Sequence, residues 1–186
     1  MQNKPKYIFL ENVVNFERSQ TRARLIQVLE SSGYEYEEWM LSPLDFGIPN
    51  ERPRYYLIAW KNSNVEGKER KLNVGWPSEP LFTLNSLSIS EFIAPTDMRV
   101  DQELSLYRIP DKLLRNRGSF DAVAVARPND VRTPCFTKAY GHYGVSSGGF
   151  LQTQSGAANS DSHSEILLRT YDAVEKLGLR LFTPTE

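Results

Sequence analysis

Residues 7–41 read YIFLENVVNFERSQTRARLIQVLESSGYEYEEWML, and the change of period inside them decides the fold. Tyr7 to Leu10 is an unbroken aromatic and aliphatic run after Pro5, with the length and composition of a buried strand ending at Glu11-Asn12. Ser19 or Thr21 then caps a helix. Its apolar positions Leu25, Ile26 and Leu29, flanked by Ala23 and Val28, recur at a 3.6-residue period until Gly33 closes it. Tyr34 to Leu41 reads as a second strand, and residues 42–53 are broken by Pro43, Gly47 and Pro49. A third aromatic strand follows from Tyr55 to Trp60. Strand, helix, strand, loop, strand is the order of half an α/β sheet.

The remaining 62–180 differ in character. Residues 61–70 are polar and charged, and the stretch to about Pro128 offers short apolar pieces between Pro77, Pro80, Pro95 and Pro110. A boundary is therefore placed at residue 61. Short helical turns are expected within 101–117, packed through Leu104, Leu106, Leu113 and Leu114, and a final helix over 164–177. Residues 133–153 read as strands or extended loops, and 155–164 as a small, polar, mobile stretch. Thr183-Pro184-Thr185-Glu186 has the spacing of a capping box with Pro at the first helical position, so residues 181–186 are expected to open a further helix in a chain that is truncated there.

Composition narrows the function. The 186 residues carry 22 Lys+Arg against 23 Asp+Glu, so non-specific binding through bulk positive charge is excluded and any nucleic-acid contact has to be local. One cysteine, Cys135, and two histidines, His142 and His163, make neither an internal disulfide nor a structural zinc site expected. No apolar run has the length of a spanning helix, so no membrane partner is expected. The cytosol, or the nucleus, is the expected compartment.

Two short elements carry the chemistry: Leu10-Glu11-Asn12-Val13 at the carboxyl end of the first strand, and Asn50-Glu51-Arg52-Pro53-Arg54 before the third. Ligands of open α/β sheets gather at the carboxyl ends of strands. Taken alone, Glu11 reads as a solvated strand end, and Arg52 with Arg54 as an edge-strand charge pair. Together, at this separation and with a helix and a strand between them, they resemble the cytosine-5 methyltransferases, in which a Glu-Asn-Val element precedes a Gln/Asn-x-Arg-x-Arg element in this order. Cys135-Phe136-Thr137-Lys138-Ala139-Tyr140-Gly141 is similar to the Cys-Phe-Thr element of the tRNA-modifying branch. So are Leu41-Ser42-Pro43, Gly47-Ile48-Pro49-Asn50, Leu151-Gln152-Thr153 and Leu181-Phe182-Thr183-Pro184.

The resemblance implies the second half of an S-adenosylmethionine-dependent, Rossmann-like sheet over 1–61, with a small target-recognition domain after it. It implies methyl transfer to carbon 5 of an anticodon-loop cytosine in tRNA, with S-adenosyl-L-methionine as donor. In the family a thiolate adds to carbon 6 and makes the ring a nucleophile. A carboxyl group matching Glu11 would hold a proton against the ring nitrogen edge and bond the exocyclic amine. A guanidinium matching Arg54 would meet the ring carbonyl oxygen, with Arg52 supporting it or contacting phosphate. Asn12 and Val13 are expected to line the substrate at the strand end, Asn12 chiefly by fixing its turn. Cys135, Thr137, Lys138 and Tyr140 are expected to contact RNA, with His142 and Tyr143 adding ring and polar groups nearby.

The departures matter as much. The family's glycine-rich donor turn and its Pro-Cys nucleophile loop both lie before the Glu-Asn-Val element, and only a handful of residues precede Tyr7. Its final Asn-rich motif would fall beyond Glu186. The chain thus resembles the middle of an enzyme, with the missing half expected in a second chain or lost from the sequence. Pro134-Cys135 matches the Cys-Phe-Thr element rather than the nucleophile, and Gly144 to Gly149 reads as a flexible turn rather than a phosphate loop. Two other readings stand beside this one: a non-catalytic RNA- or partner-binding module, and a DNA cytosine-5 methyltransferase.

Overall fold

A computed structural model describes residues 4–61, 72–76, 85–93, 105–115, 124–142, 147–153, 177–184 and 186. The chain divides into two compact units, one of residues 1–46 and 52–84 and the other of residues 47–51 and 85–186. This differs from boundaries at 61 and 181. A short strand near residue 73 joins the first sheet, residues 47–51 hydrogen-bond with Thr133, and Phe182 packs with Ile89 and Leu151 in the second unit.

The first unit is a four-stranded sheet with one helix. Strand β1 (Tyr7–Val13) leads through a 3-10 turn (Phe16–Arg18) to helix α1 (Gln20–Ser31), then β2 (Tyr34–Leu41), β3 (Arg54–Lys61) and β4 (Leu72–Val74). Ser19 caps α1, its side chain accepting the Arg22 N–H at 3.1 Å. Gly33 takes the left-handed conformation (φ 77°) that ends the helix, as its position predicts. The strand order is β1-β3-β2-β4. Strand β3 is antiparallel to both β1 and β2, while β4 is parallel to β2.

The sheet buries one face. Tyr34 and Tyr36 of β2 and Tyr55, Leu57 and Ala59 of β3 pack with Leu29, Leu25 and Ile26 of α1. Burying a side chain such as Leu57 contributes about 2 kcal/mol. The alternate residues form an open face rich in rings and aliphatics, with Tyr7 65% and Phe9 67% exposed and Phe9 stacked on Tyr56 at 5.9 Å. One sequence expectation is corrected here: β1 does not end at Glu11-Asn12, because Glu11, Asn12 and Val13 continue the pairing opposite Tyr56, Tyr55 and Arg54.

The second unit holds helix α2 (Asp111–Arg115) and a small sheet of β5 (Val125–Ala126), β6 (Phe150–Gln152) and β7 (Leu179–Arg180), in the order β5-β6-β7. Its clusters are Ile109, Leu113, Phe150 and Leu179, and Ile89, Ala126, Leu151 and Phe182. Leu113 packs as expected, but Leu106 is 79% exposed. The expected helix over 164–177, apart from Leu177 in a turn, the mobile stretch 155–164, Leu104 and Tyr143 lie outside the described residues, and nothing is assigned to Leu114 beyond its place in α2.

Candidate active site

Register builds the centre of the site. Val13 stands opposite Arg54 and Glu11 opposite Tyr56, so Glu11 and Arg54 are diagonal neighbours on the open face of the sheet. Their side chains meet, with Arg54 Nε 3.2 Å from Glu11 Oε1. Arg54 Nη1 also donates to the Pro53 carbonyl at 2.8 Å, which fixes the guanidinium from its own backbone. The Arg54 side chain is 19% exposed and that of Glu11 47%, so the pair contributes less than about 1 kcal/mol to stability. Its consequence is positional: a carboxyl group and a forked cation are held side by side at the carboxyl end of β1.

The other residues of these two elements are placed differently. Asn12 faces the opposite side of β1, and its side chain accepts the Val13 N–H at 2.9 Å within the strand. Val13 is exposed on the Glu11 face. Arg52 precedes β3 rather than sharing a strand with Arg54. Its backbone N–H donates to Ser42 Oγ at 3.1 Å, and Ser42 N–H donates to Asp45 Oδ2 at 2.7 Å. Arg52 is therefore exposed on a braced loop.

A buried network behind the site was missed from the sequence. Glu38 of β2, 3% exposed, receives Arg22 Nε at 2.8 Å, Arg22 Nη2 at 2.5 Å and the Tyr55 hydroxyl at 2.5 Å. Burial opposes ionisation of Glu38, yet the Arg22 and Tyr55 hydrogen bonds outweigh it and hold the carboxyl below its ordinary range. Burial and the Glu38 carboxylate push the Tyr55 hydroxyl up. The signal was available: Glu38 alternates with Tyr34 and Tyr36, so a charge stands on the buried face of a strand. Tyr55 also packs on Phe16, in the turn after β1, at 5.0 Å.

The second unit holds the other expected residues. Cys135 Sγ is directed to the Phe136 carbonyl at 3.4 Å. Thr137 and Lys138 are exposed, the Thr137 N–H donating to Ser147 O at 2.9 Å. Tyr140 has a packing role instead of a free ring. Its hydroxyl donates to Gly149 O at 2.7 Å and accepts the Phe182 N–H at 2.9 Å, and its ring meets Phe136 edge-on at 4.9 Å. Burial pushes that hydroxyl up to about 12, against the Phe182 N–H, which pulls it down. Gly148 (φ 148°) lies under both rings, where a Cβ would stand 2.5 Å from Tyr140 and 2.8 Å from Phe136.

Beside these rings is a cavity of about 490 Å3 lined by Ile89, Phe92, Tyr107, Phe136 and Phe182 among others. One bond of the capping-box pattern is present, Glu186 Oε2 accepting the Thr183 N–H at 2.9 Å, but the expected helix is not: the described residues 181–184 and 186 are not helical. Glu186 also forms two 2.6 Å bonds to Arg180. Burial raises its pKa, but the Arg180 guanidinium and the Thr183 amide overcome this and keep the carboxyl low. Among the described residues no cluster of His, Cys, Asp and Glu could hold a metal ion, and no helix is long and apolar enough to cross a membrane.

Comparison with known proteins gives the family of the chain and the fold it shares. The tRNA (cytosine(38)-C(5))-methyltransferase of Rattus norvegicus is 33% identical over all of this chain and 61% of its own length. The DNA (cytosine-5)-methyltransferase of Dictyostelium discoideum is 28% identical over 98% of this chain and 54% of its own. The crystal structure of a DNMT2 mutant from Spodoptera frugiperda superposes with a TM-score of 0.71 at 26% identity, covering 97% of this chain and 53% of that one. That of Dnmt2 from S. pombe gives 0.72 at 25% identity, covering 98% and 51%. The chain thus spans between half and two thirds of the length of these relatives. Residues 1–138 match the family described as C-5 cytosine-specific DNA methylase, and the chain belongs to that family.

Proposed function

We propose that this chain is the part of a tRNA cytosine-5 methyltransferase that grips the target cytosine and its RNA, acting on an anticodon-loop base in the cytosol or nucleus. The observation that carries this reading is the Glu11–Arg54 contact of 3.2 Å at the carboxyl end of β1. The carbonyl oxygen of cytosine is attached beside ring nitrogen 3, so groups that touch each other can also take these neighbouring positions. Arg54 would meet the carbonyl oxygen and stabilise charge pushed into the ring when a thiolate adds to carbon 6. Glu11 would hold a proton at the nitrogen edge and accept from the amine, which distinguishes cytosine from uracil. Arg52 would take phosphate, and Thr137 and Lys138 of the second unit would contact RNA beyond the target base.

S-adenosyl-L-methionine, the family's donor, would supply the methyl group from its sulfonium centre. The described residues do not fit a cradle for it: β1 passes into α1 through Val14, Asn15 and the 3-10 turn, without a glycine. Cys135, its thiol turned to the next carbonyl, is not assigned the nucleophile's role. The donor half is assigned to other sequence, in the same longer protein or in a second chain. A DNA substrate is the second reading, favoured by the Dictyostelium discoideum relative's name.

The test restores the donor half by fusion or by mixing and offers labelled donor with tRNA or duplex DNA. Transfer to tRNA is expected, with Glu11→Gln and Arg54→Ala each lowering the rate on the order of a hundredfold or more while RNA affinity changes little. Transfer to DNA alone would give the second reading. Collapse of RNA binding with an unchanged rate in Glu11→Gln would make the chain a binding module.

A further inference from the structure

Three aromatic side chains at the active end of the first unit have no part in its core. Trp39 of β2 and Trp76 just after β4 lie with ring centroids 5.9 Å apart, and Phe46, at the end of a 3-10 turn (Pro43–Phe46), lies 5.3 Å from Trp76. Trp76 is 48% exposed and Phe46 37%, so both side chains remain partly accessible although they touch one another. The cluster is built to stay in place. Gly75 N–H donates to Met40 O at 2.9 Å, which ties the segment before Trp76 to β2, and Asp45 accepts from Ser42 in the turn that carries Phe46.

Register relates this cluster to the candidate catalytic pair. Glu11 stands opposite Tyr56, and Tyr56 opposite Trp39, so the three form one row across β1, β3 and β2 on the open face. Two strand spacings separate the backbones of Glu11 and Trp39, about 10 Å. Arg54, opposite Leu41, lies between them at the same end of the sheet. Arg52 is hydrogen-bonded through its backbone to Ser42, on the loop that leads to Phe46. Partly exposed rings, a base-gripping pair in the same row and an exposed Arg52 on the neighbouring loop are the kinds of group that hold single-stranded nucleic acid: bases on aromatic faces and phosphates on cations. Rings and guanidinium groups also serve protein partners; what favours a base here is the Glu11–Arg54 pair in the same row as Trp39.

We propose that Trp39, Phe46 and Trp76 form a stacking platform for an unpaired base of the RNA close to the base that Glu11 and Arg54 engage. The proposal presupposes an RNA substrate. It predicts a preference for loops over duplexes, since only a base outside the stack of a helix can lie on the platform.

The chain with Trp60→Phe retains two tryptophans, both in the cluster, so its indole fluorescence reports on the platform alone. Titration with a stem-loop RNA is expected to quench it, and the blunt duplex of the same stem to quench it much less. Trp76→Leu, which keeps apolar contact with Phe46 but has no π-face, should weaken stem-loop binding roughly 5- to 150-fold. Binding of the duplex and the circular dichroism spectrum should be unchanged, and Trp76→Phe should retain most of the affinity. Equal stem-loop affinity in Trp76→Leu and the parent would overturn the platform and leave the methyltransferase reading standing. Absence of quenching with the parent would overturn it too, whereas the methyltransferase reading fails separately, if the restored enzyme leaves tRNA unlabelled. If Trp76→Leu abolishes self-association and leaves RNA binding alone, the cluster is a protein contact and the proposal is wrong.

Discussion

Two carboxylates, Glu38 and Glu186, are each bound by a guanidinium through both oxygens and are 3% and 1% exposed at their side chains. Their pKa values are lowered from 4.5 in the folded chain, so the unfolded chain binds more protons in acid. The stabilisation they bring is complete above the unfolded value and is lost as pH falls through the lowered folded values. Glu38→Gln is therefore expected to cost about 3 kcal/mol at pH 7. It should also flatten the fall of stability below about pH 5, as read from urea midpoints across pH. A cost that stays constant down to pH 3 would contradict this linkage. At Tyr140 the expected loss is of another kind. Tyr140→Phe leaves the Gly149 carbonyl and the Phe182 amide without their partner and should cost about 1–3 kcal/mol in denaturant unfolding. Selective loss of RNA binding with unchanged stability would instead return the ring to the interface role that its sequence context suggested.

Elements show where sequence periodicity was sufficient and where it was not. Helix α1 and strands β1, β2 and β3 were legible, because each has an apolar period and punctuation such as Ser19, Gly33 and Pro53 at its ends. Strand β4 was not, since Leu72, Asn73 and Val74 are held by pairing with β2 rather than by their own preference. An uncovered apolar face was legible, because strands 7–10 and 55–60 read as half of a sheet, and Tyr7, Phe9, Val13 and Ile58 are exposed together on it. A face of this composition is expected to drive self-association. Sedimentation should show species above the monomer mass at micromolar concentration, and Ile58→Lys should return the chain to a monomer with unchanged helical signal. A monomeric parent would count against it.

For the whole chain, the carboxylate–guanidinium half of the site was legible because Glu11 and Arg54 lie in recognisable short elements, and strand register then brings them together. The Glu38 network was harder to read because its three members come from α1, β2 and β3: register brings Tyr55 to Glu38, and the packing of α1 on the sheet brings Arg22. The Arg180 partner of Glu186 was hidden for a similar reason: a capping-box spacing predicts the bond to Thr183, but not a cation arriving from β7. At this scale we expect the 186-residue chain by itself to transfer no methyl group to tRNA, since the described residues lack a donor cradle and Cys135 is turned to its neighbour. Turnover that vanished in Cys135→Ala would refute that.

The position of β3 between β1 and β2 has a consequence for time as well as space. Tyr7 finds its partner in Trp60, and Tyr34 finds its own in Lys61, so β1 and β2 are joined to one another only through β3. During synthesis α1 can form early, but the sheet has to wait. Strands β2 and β3 close locally across residues 42–53, whereas β1 meets β3 across the whole of residues 14–53. Such non-local pairing slows folding, and until it is complete β1, with its exposed rings Tyr7 and Phe9, is available to wrong neighbours.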